Sequence, residues 1–289
     1  LGFEPRLIYL VGGSGGDRLS SVELYDPQAA SWTQRAGMAG PRVLHGCVPL
    51  EGKLYAVGGG LGLASQALDT AEVYDPQTDG WQPLAKMSTA RAAVGLAVVG
   101  GKIYAIGGWN GFFRLESVEA YDPHLGSWAL VASMSGTREY HTSVVLDGKI
   151  YAMGGYGDGV LDTVEVYDLQ VDSWQPVASM PQSRHMHAAA AMGGKIYVTG
   201  GFSHGSSMNS VYVYDPQSDA WTQLASMSIA RRLHASAVVG GKLYVFGGIG
   251  AEDDEENLST AEVYDPASNS WGQGPSLTSA RVDMVAVAL

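Results

Sequence analysis

The chain has 289 residues, 46% of them hydrophobic, with 39 glycines and a formal net charge of −12. This composition excludes a disordered chain, no apolar run is long enough to span a bilayer as a helix, and the acidic balance speaks against nucleic acid or an anionic membrane as a main partner. The single cysteine, Cys47, excludes an internal disulfide framework and suits a reducing compartment.

The first predicted element is a short strand, Leu7–Val11, running into Gly12-Gly13. A second strand ends in Tyr25-Asp26, and Trp32, Met38 and Arg42 follow at fixed intervals. The same order then recurs through the chain. Its first glycines are Gly12, Gly58, Gly107, Gly154, Gly200 and Gly247, spaced by 46, 49, 47, 46 and 47 residues. Each copy has a Tyr-Asp, a Trp seven residues on (Trp32, Trp81, Trp128, Trp174, Trp221, Trp271) and an Arg ten residues after that (Arg42, Arg91, Arg138, Arg184, Arg231, Arg281). A period near 47 residues marks a repeat architecture.

Each copy reads as four short antiparallel strands. In the third copy these are Val94–Val99, Lys102–Ile106, Ser117–Tyr121 and a segment around Trp128–Val131. Gly-Gly-Lys and Asp-Pro make the turns between strands. One such sheet cannot bury both its faces, so six must pack around an axis as an all-β, six-bladed propeller. The chain starts on a second strand and ends on a first, Met284–Leu289, so the C-terminal strand is expected to complete the first blade. The whole of 1–289 reads as one propeller, with repeats near 7–53, 54–102, 103–149, 150–195, 196–242 and 243–289. The Trp side chains are expected to wedge between blades, at about 3–5 kcal/mol each on truncation. The Arg is expected to pair with the Glu before Tyr-Asp (Glu23, Glu72, Glu119, Glu165, Glu262), with Tyr212 in that place in the fifth copy.

Strand direction selects a working face. The ends of the Gly-Gly strands and the segments after the motif Arg must share one face, and the uniform turns occupy the other. The loops after Gly-Gly vary: 8, 11, 9, 8, 9 and 12 residues. Variable loops on a constant scaffold are where binding concentrates. The third loop carries Trp109, Phe112, Phe113 and Arg114, the fourth Tyr156, the fifth Phe202, and the first Arg18. Glu139, Tyr140, His185, Met186, Arg232 and Leu233 come from the Arg-end segments. Aromatics, Met and Arg are the residue types that anchor protein interfaces. The acidic run 252–256 reads as a solvated loop.

These motifs, as in "GKIYAIGGWNGFFRLESVEAYDP" at 101–123, resemble the kelch repeat of the BTB-kelch proteins over essentially the whole chain. The resemblance implies a fragment of a longer BTB-BACK-kelch protein whose missing N-terminal part engages a cullin-3 ubiquitin ligase. The propeller would be its substrate-recognition module in the cytoplasm. It also implies that a short peptide segment of a protein substrate docks on the variable-loop face. Carried over by position, the contacts are Ser14, Arg18, Trp109, Arg114, Tyr156 and Phe202 from the loops, and Tyr140, His185, Met186, Arg232 and Leu233 from the strand starts. Val43, Ala92, Ala93 and Val282 depart from acid-binding relatives, so the expected partner has hydrophobic anchors, with Arg18, Arg114 and Arg232 able to pair an acidic residue. The alternative reading is a scaffold that binds actin or a cytoskeletal protein.

Enzyme motifs do not emerge. Some kelch-like propellers are copper-radical oxidases that join a Tyr to a Cys, but Cys47 lies in an apolar strand and reads as a small buried residue. His45, His141, His187 and His234 share one repeat position, and Val94 and Met284 fill the same slot, so packing is the better reading than a metal. No phosphate loop or nucleophile elbow appears. The chain is expected to use no cofactor and to catalyse nothing itself.

Overall fold

The computed structural model describes residues 7–61, 66–251 and 256–289. The acidic run falls mostly outside them. Six four-stranded antiparallel sheets form six blades, with no helix among the described residues. Blade I joins Val285–Ala288 to Ile8–Val11, Val22–Asp26 and Ser31–Arg35. Blade II comprises Gly46–Leu50, Lys53–Val57, Ala71–Asp75 and Gly80–Pro83. Blade III is Gly95–Val99, Lys102–Ile106, Val118–Asp122 and Ser127–Val131. Thr142–Leu146, Lys149–Met153, Val164–Asp168 and Ser173–Val177 make blade IV. Blade V contains Ala188–Met192, Lys195–Thr199, Val211–Asp215 and Ala220–Gln223, and blade VI Ala235–Val239, Lys242–Phe246, Ala261–Asp265 and Ser270–Gln273.

The first strands of neighbouring blades touch one another in a closed ring, so they line the axis and the fourth strands form the rim. Burial follows that order. Ile103, Ala105 and Ile106 on a second strand are fully buried, whereas Leu130 on a fourth is 67% exposed. Pro49 can sit in a first strand because that strand is the sheet's inner edge and owes no further amide to a ladder. Apolar clusters fill the gaps between sheets: Val11, Val22 and Leu24 of blade I pack with Leu54, Ala56 and Tyr74 of blade II.

The chain ends close the ring as the sequence predicts. Ile8 to Val11 pair with Ala288 to Val285, and Leu7 and Leu289 exchange two backbone hydrogen bonds of 3.0 Å. Both termini of the described chain are thus held in one sheet, and blade I has no unpaired second strand.

Each Trp indole donates to a carbonyl of the preceding blade, as Trp81 Nε1 does to Ala36 at 2.8 Å and Trp174 Nε1 to Ala132 at 2.9 Å. All six do so. They bridge blades as expected, but they are only half-buried, with the ring tilted against its own Tyr at 4.9–5.2 Å between ring centres. The fourth strand lies on the rim, so about 3–5 kcal/mol overstates the cost of truncation and the hydrogen bond carries a larger share.

Candidate functional site

The face is built on the motif arginines, and each of them joins two blades. The Arg42 carbonyl accepts the amide of Gly13 in blade I at 2.9 Å. Its guanidinium reaches into blade II, to the Gly58 carbonyl at 2.7 Å and to Glu72 at 2.6 Å. The carboxylate pairing recurs as Arg91–Glu119, Arg138–Glu165, Arg231–Glu262 and Arg281–Glu23 at 2.7–3.0 Å, all buried. Arg184 instead stacks 5.2 Å over Tyr212. A close approach explains the paired glycines. At Gly12, with φ +61°, a Cβ would lie 2.7 Å from the Arg42 carbonyl oxygen.

The residue after each Arg pairs, strand-like, with the residue after each Gly-Gly. The pairs are Val282 with Ser14, Val43 with Gly60, Ala92 with Trp109, Glu139 with Tyr156, His185 with Phe202, and Arg232 with Ile249. One residue further on, Leu44, Ala93, Tyr140, Met186, Leu233 and Asp283 all adopt left-handed φ between 49° and 56°. Their backbones link one blade to the next: the Ala93 amide donates to Leu44, Tyr140 to Ala93, Met186 to Tyr140, Leu233 to Met186 and Asp283 to Leu233, at 2.8–3.1 Å. These five links run from blade to blade round the mouth of the axial channel as a backbone ring and fix where the variable side chains beside them stand.

Those side chains divide the face into two sectors. Blades III to VI carry a connected crescent. The Arg114 guanidinium lies 4.6 Å from the Tyr156 ring centre and 5.9 Å from that of Trp109, and its Nε donates to Glu139 at 2.8 Å. His185 sits among Tyr140, Tyr156 and Phe202, at 6.2, 5.6 and 5.6 Å between ring centres. Burial, then the nearby Arg232 charge, lowers the His185 pKa, so the imidazole is neutral at pH 7. Arg232 lies 4.7 Å over Phe202 and donates to Ser207 Oγ at 2.8 Å. Phe202–Ser203 and Ser206–Ser207 form a small hairpin that the sequence reading does not anticipate, turned by His204 and Gly205 at positive φ. Phe112 is 76% exposed at the tip of the third loop, where the Asn110 side chain accepts the amides of Phe112 and Phe113.

Beside the crescent, at Val43, Gly60, Ala92 and Ala93, the equivalent positions are small, and a cavity of about 530 Å³ opens there. Val43, Leu44, Gly60, Ala92 and Ala93 line it together with Trp109, Arg114, Glu139, Tyr140 and Asp283. Burial raises the Asp283 carboxyl to about 7, and its Oδ1 is buried with no hydrogen-bond partner. Burial, then the charges of Asp283 and Glu139, pushes the Tyr140 hydroxyl up to about 12.

The site residues read from the sequence thus fall into groups. Trp109, Arg114, Tyr140, Tyr156, His185, Phe202 and Arg232 are in mutual contact. Met186 and Leu233 stand in the backbone ring. Phe112 projects at a loop tip, and Ser14 and Arg18 lie together in blade I beside Val282. Arg114, one of the three arginines that the sequence reading offers to an acidic partner, is already paired with Glu139. Asp283 and Leu44 escaped that reading. Their signal is positional: both stand two residues after the motif Arg.

The shared-position histidines line the axial channel. His45 and His141 have both ring nitrogens buried without a hydrogen-bond partner, and His187 and His234 bond Thr142 and Thr199 through Nε2 at 2.9 Å. Burial lowers the pKa of His45, His141 and His234 to about 3, and that of His187 falls well below its ordinary value. No group of three or more His, Cys, Asp or Glu among the described residues is disposed to hold a metal. Burial raises the Cys47 thiol to about 12. No helix among the described residues is long and apolar enough to cross a membrane.

Comparison with known proteins agrees with this architecture. A family model described as the KLHDC2/KLHL20/DRC7 Kelch-repeats domain matches residues 96–282, and the Kelch motif matches 5–39 and 41–88. Kelch-like protein 7 of Rattus norvegicus is 48% identical over 48 residues, 17% of this chain and 8% of that protein. An F-box/kelch-repeat protein of Arabidopsis thaliana is 45% identical over 56 residues, 18% of this chain and 14% of that protein. Kelch-like protein 3 of Danio rerio is 42% identical over 55 residues, 19% of this chain and 9% of that protein. The matched stretches are therefore small parts of longer relatives. The solved structure of YjhT superposes with a TM-score of 0.81, covering 94% of this chain and 95% of that one at 17% identity, which concerns the fold alone. With a family model matching more than half of its length, the chain belongs to the KLHDC2/KLHL20/DRC7 kelch-repeat family.

Proposed function

We propose that this propeller is a recognition module whose variable-loop face docks a short segment of a protein partner. The observation that carries the reading is the crescent of Trp109, Arg114, Tyr156, His185, Phe202 and Arg232 beside a cavity, all on one face above a constant backbone ring. Rigid aromatics with arginine next to an apolar recess are what protein interfaces use as anchors. The site residues named from the sequence are assigned to that contact, with Ser14, Arg18 and Phe112 at its margin.

In the cell the propeller selects a protein for ubiquitination, cullin-3 being recruited through a BTB region that is not in this sequence. What supports an adaptor role is the likeness to kelch-like proteins, each far longer than the stretch it shares with this chain. The chain itself performs no catalysis in this reading and needs no cofactor, and the protein works in the cytoplasm. The test is co-purification from cells expressing the complete protein. Proteins that bind the propeller should accumulate when cullin-3 is inhibited, and cullin-3 should be lost when only residues 1–289 are expressed. Bound proteins whose levels ignore cullin-3, or that sediment with actin filaments, would replace the ligase reading with a scaffold one.

A further inference from the structure

The backbone ring at the channel mouth carries five side chains without charge and one with a carboxylate, Asp283. Its Oδ1 is buried without a hydrogen-bond partner, an arrangement that costs free energy unless something from outside completes it. The charged groups that share its cavity are Arg114 and Glu139, and they satisfy each other at 2.8 Å. The cavity therefore holds one carboxyl in excess of its cation, that of Asp283. Its remaining walls suit a side chain with an apolar stem and a cationic head: Val43, Leu44, Ala92 and Ala93 are small and apolar, and Trp109 and Tyr140 present aromatic rings.

We infer that this cavity receives a basic side chain, arginine or lysine, from the docked protein segment, with Asp283 as its counter-charge. The inference rests on the reading of this face as a peptide-docking surface and adds the chemistry of one anchor. It reverses the charge expected from the sequence, since the excess charge here belongs to a carboxylate rather than to an arginine. The partner then carries a basic residue flanked by apolar ones. Insertion also favours the ionised form of Asp283, so binding strengthens as pH rises through about 7, where that carboxyl titrates in the free protein.

The test uses a phage-displayed library of random peptides, selected on the propeller at pH 7.5. Enriched peptides should share a Lys or Arg at a fixed position. A synthetic peptide should bind at least tenfold more weakly to the Asp283→Asn protein, or when its basic residue is changed to Met, and combining both changes should add little. The peptide substitution tests the point even if the Asp283→Asn protein fails to fold. Peptides that lack a basic residue, or that bind both proteins alike, while still depending on Trp109 and Tyr156, would overturn this inference and leave the docking face intact. No enriched peptide, or binders indifferent to Trp109→Ala and Tyr156→Ala, would overturn both.

Discussion

The guanidinium of Arg184 lies 5.2 Å over the ring of Tyr212, and among the described residues it is the one motif arginine that faces no carboxylate. Gly200 and Ser210 carbonyls and the Ser210 hydroxyl hold it at 2.7–3.3 Å, and burial lowers its pKa to about 10. In the other five copies a buried Glu supplies the counter-charge. Glu119→Gln should therefore be far more damaging than Tyr212→Phe, because it leaves the fully buried Arg91 uncompensated. A loss of about 3–5 kcal/mol is expected for the first and under about 1 kcal/mol for the second. Urea unfolding of the two variants checks this, and equal losses would show that the Arg–Glu pairs do not carry the inter-blade link.

The axial histidines make the fold sensitive to acid. Their folded pKa values lie below the unfolded value near 6.5, so their contribution is complete above about 6.5 and is lost as pH falls toward about 3. At pH 5.5 each costs roughly 1.4 kcal/mol relative to pH 7.5. His141→Met copies the side chain that Met284 already places in this slot and removes one such group. Its loss of stability between pH 7.5 and 5.5 should be smaller than that of the parent by about this amount, as read by thermal melts at the two pH values.

Asp283 acts in the opposite direction. Its folded pKa, about 7, stands above the ordinary carboxylate value, so the folded state is favoured while the group is protonated and loses stability as pH rises from about 4 to about 7. The penalty above pH 7 is on the order of 4 kcal/mol. Asp283→Asn should remove it and raise the melting temperature at pH 8, with little change at pH 4. A fall at pH 8 would mean that the carboxylate has a stabilising partner within the chain.

Cys47 is buried in the first strand of blade II, and its thiol is held far from ionisation. Alkylation by iodoacetamide at pH 8 should be negligible in the folded protein and rapid in urea. Its rate therefore reports global opening. Fast labelling under native conditions would contradict a closed propeller.

Much of the fold was legible because one physical problem is solved six times. Gly12-Gly13, Trp81 and Arg42 mean little singly, but their recurrence fixes period, strand number and closure, and even the exception at Tyr212 could be located. The site was legible only in part. Strand polarity put Trp109, Tyr156, His185 and Phe202 on one face, and the structure adds that they touch. The cavity was not legible, because it arises from what is missing at Val43, Gly60 and Ala92 and from distant Asp283 meeting Tyr140 across the ring. Nor could the sequence tell that Arg114 is neutralised by Glu139, since that bond joins the third loop to the segment opening blade IV.

The most direct test of the docking face is proximity labelling in cells with the complete protein and with a variant carrying Trp109→Ala, Tyr140→Ala and Arg232→Ala. Purified propellers with and without the three changes must first melt alike. The account predicts that a discrete set of labelled proteins disappears from the variant while association with cullin-3 persists. An unchanged set would contradict it and move the binding surface to the opposite face or the blade rim.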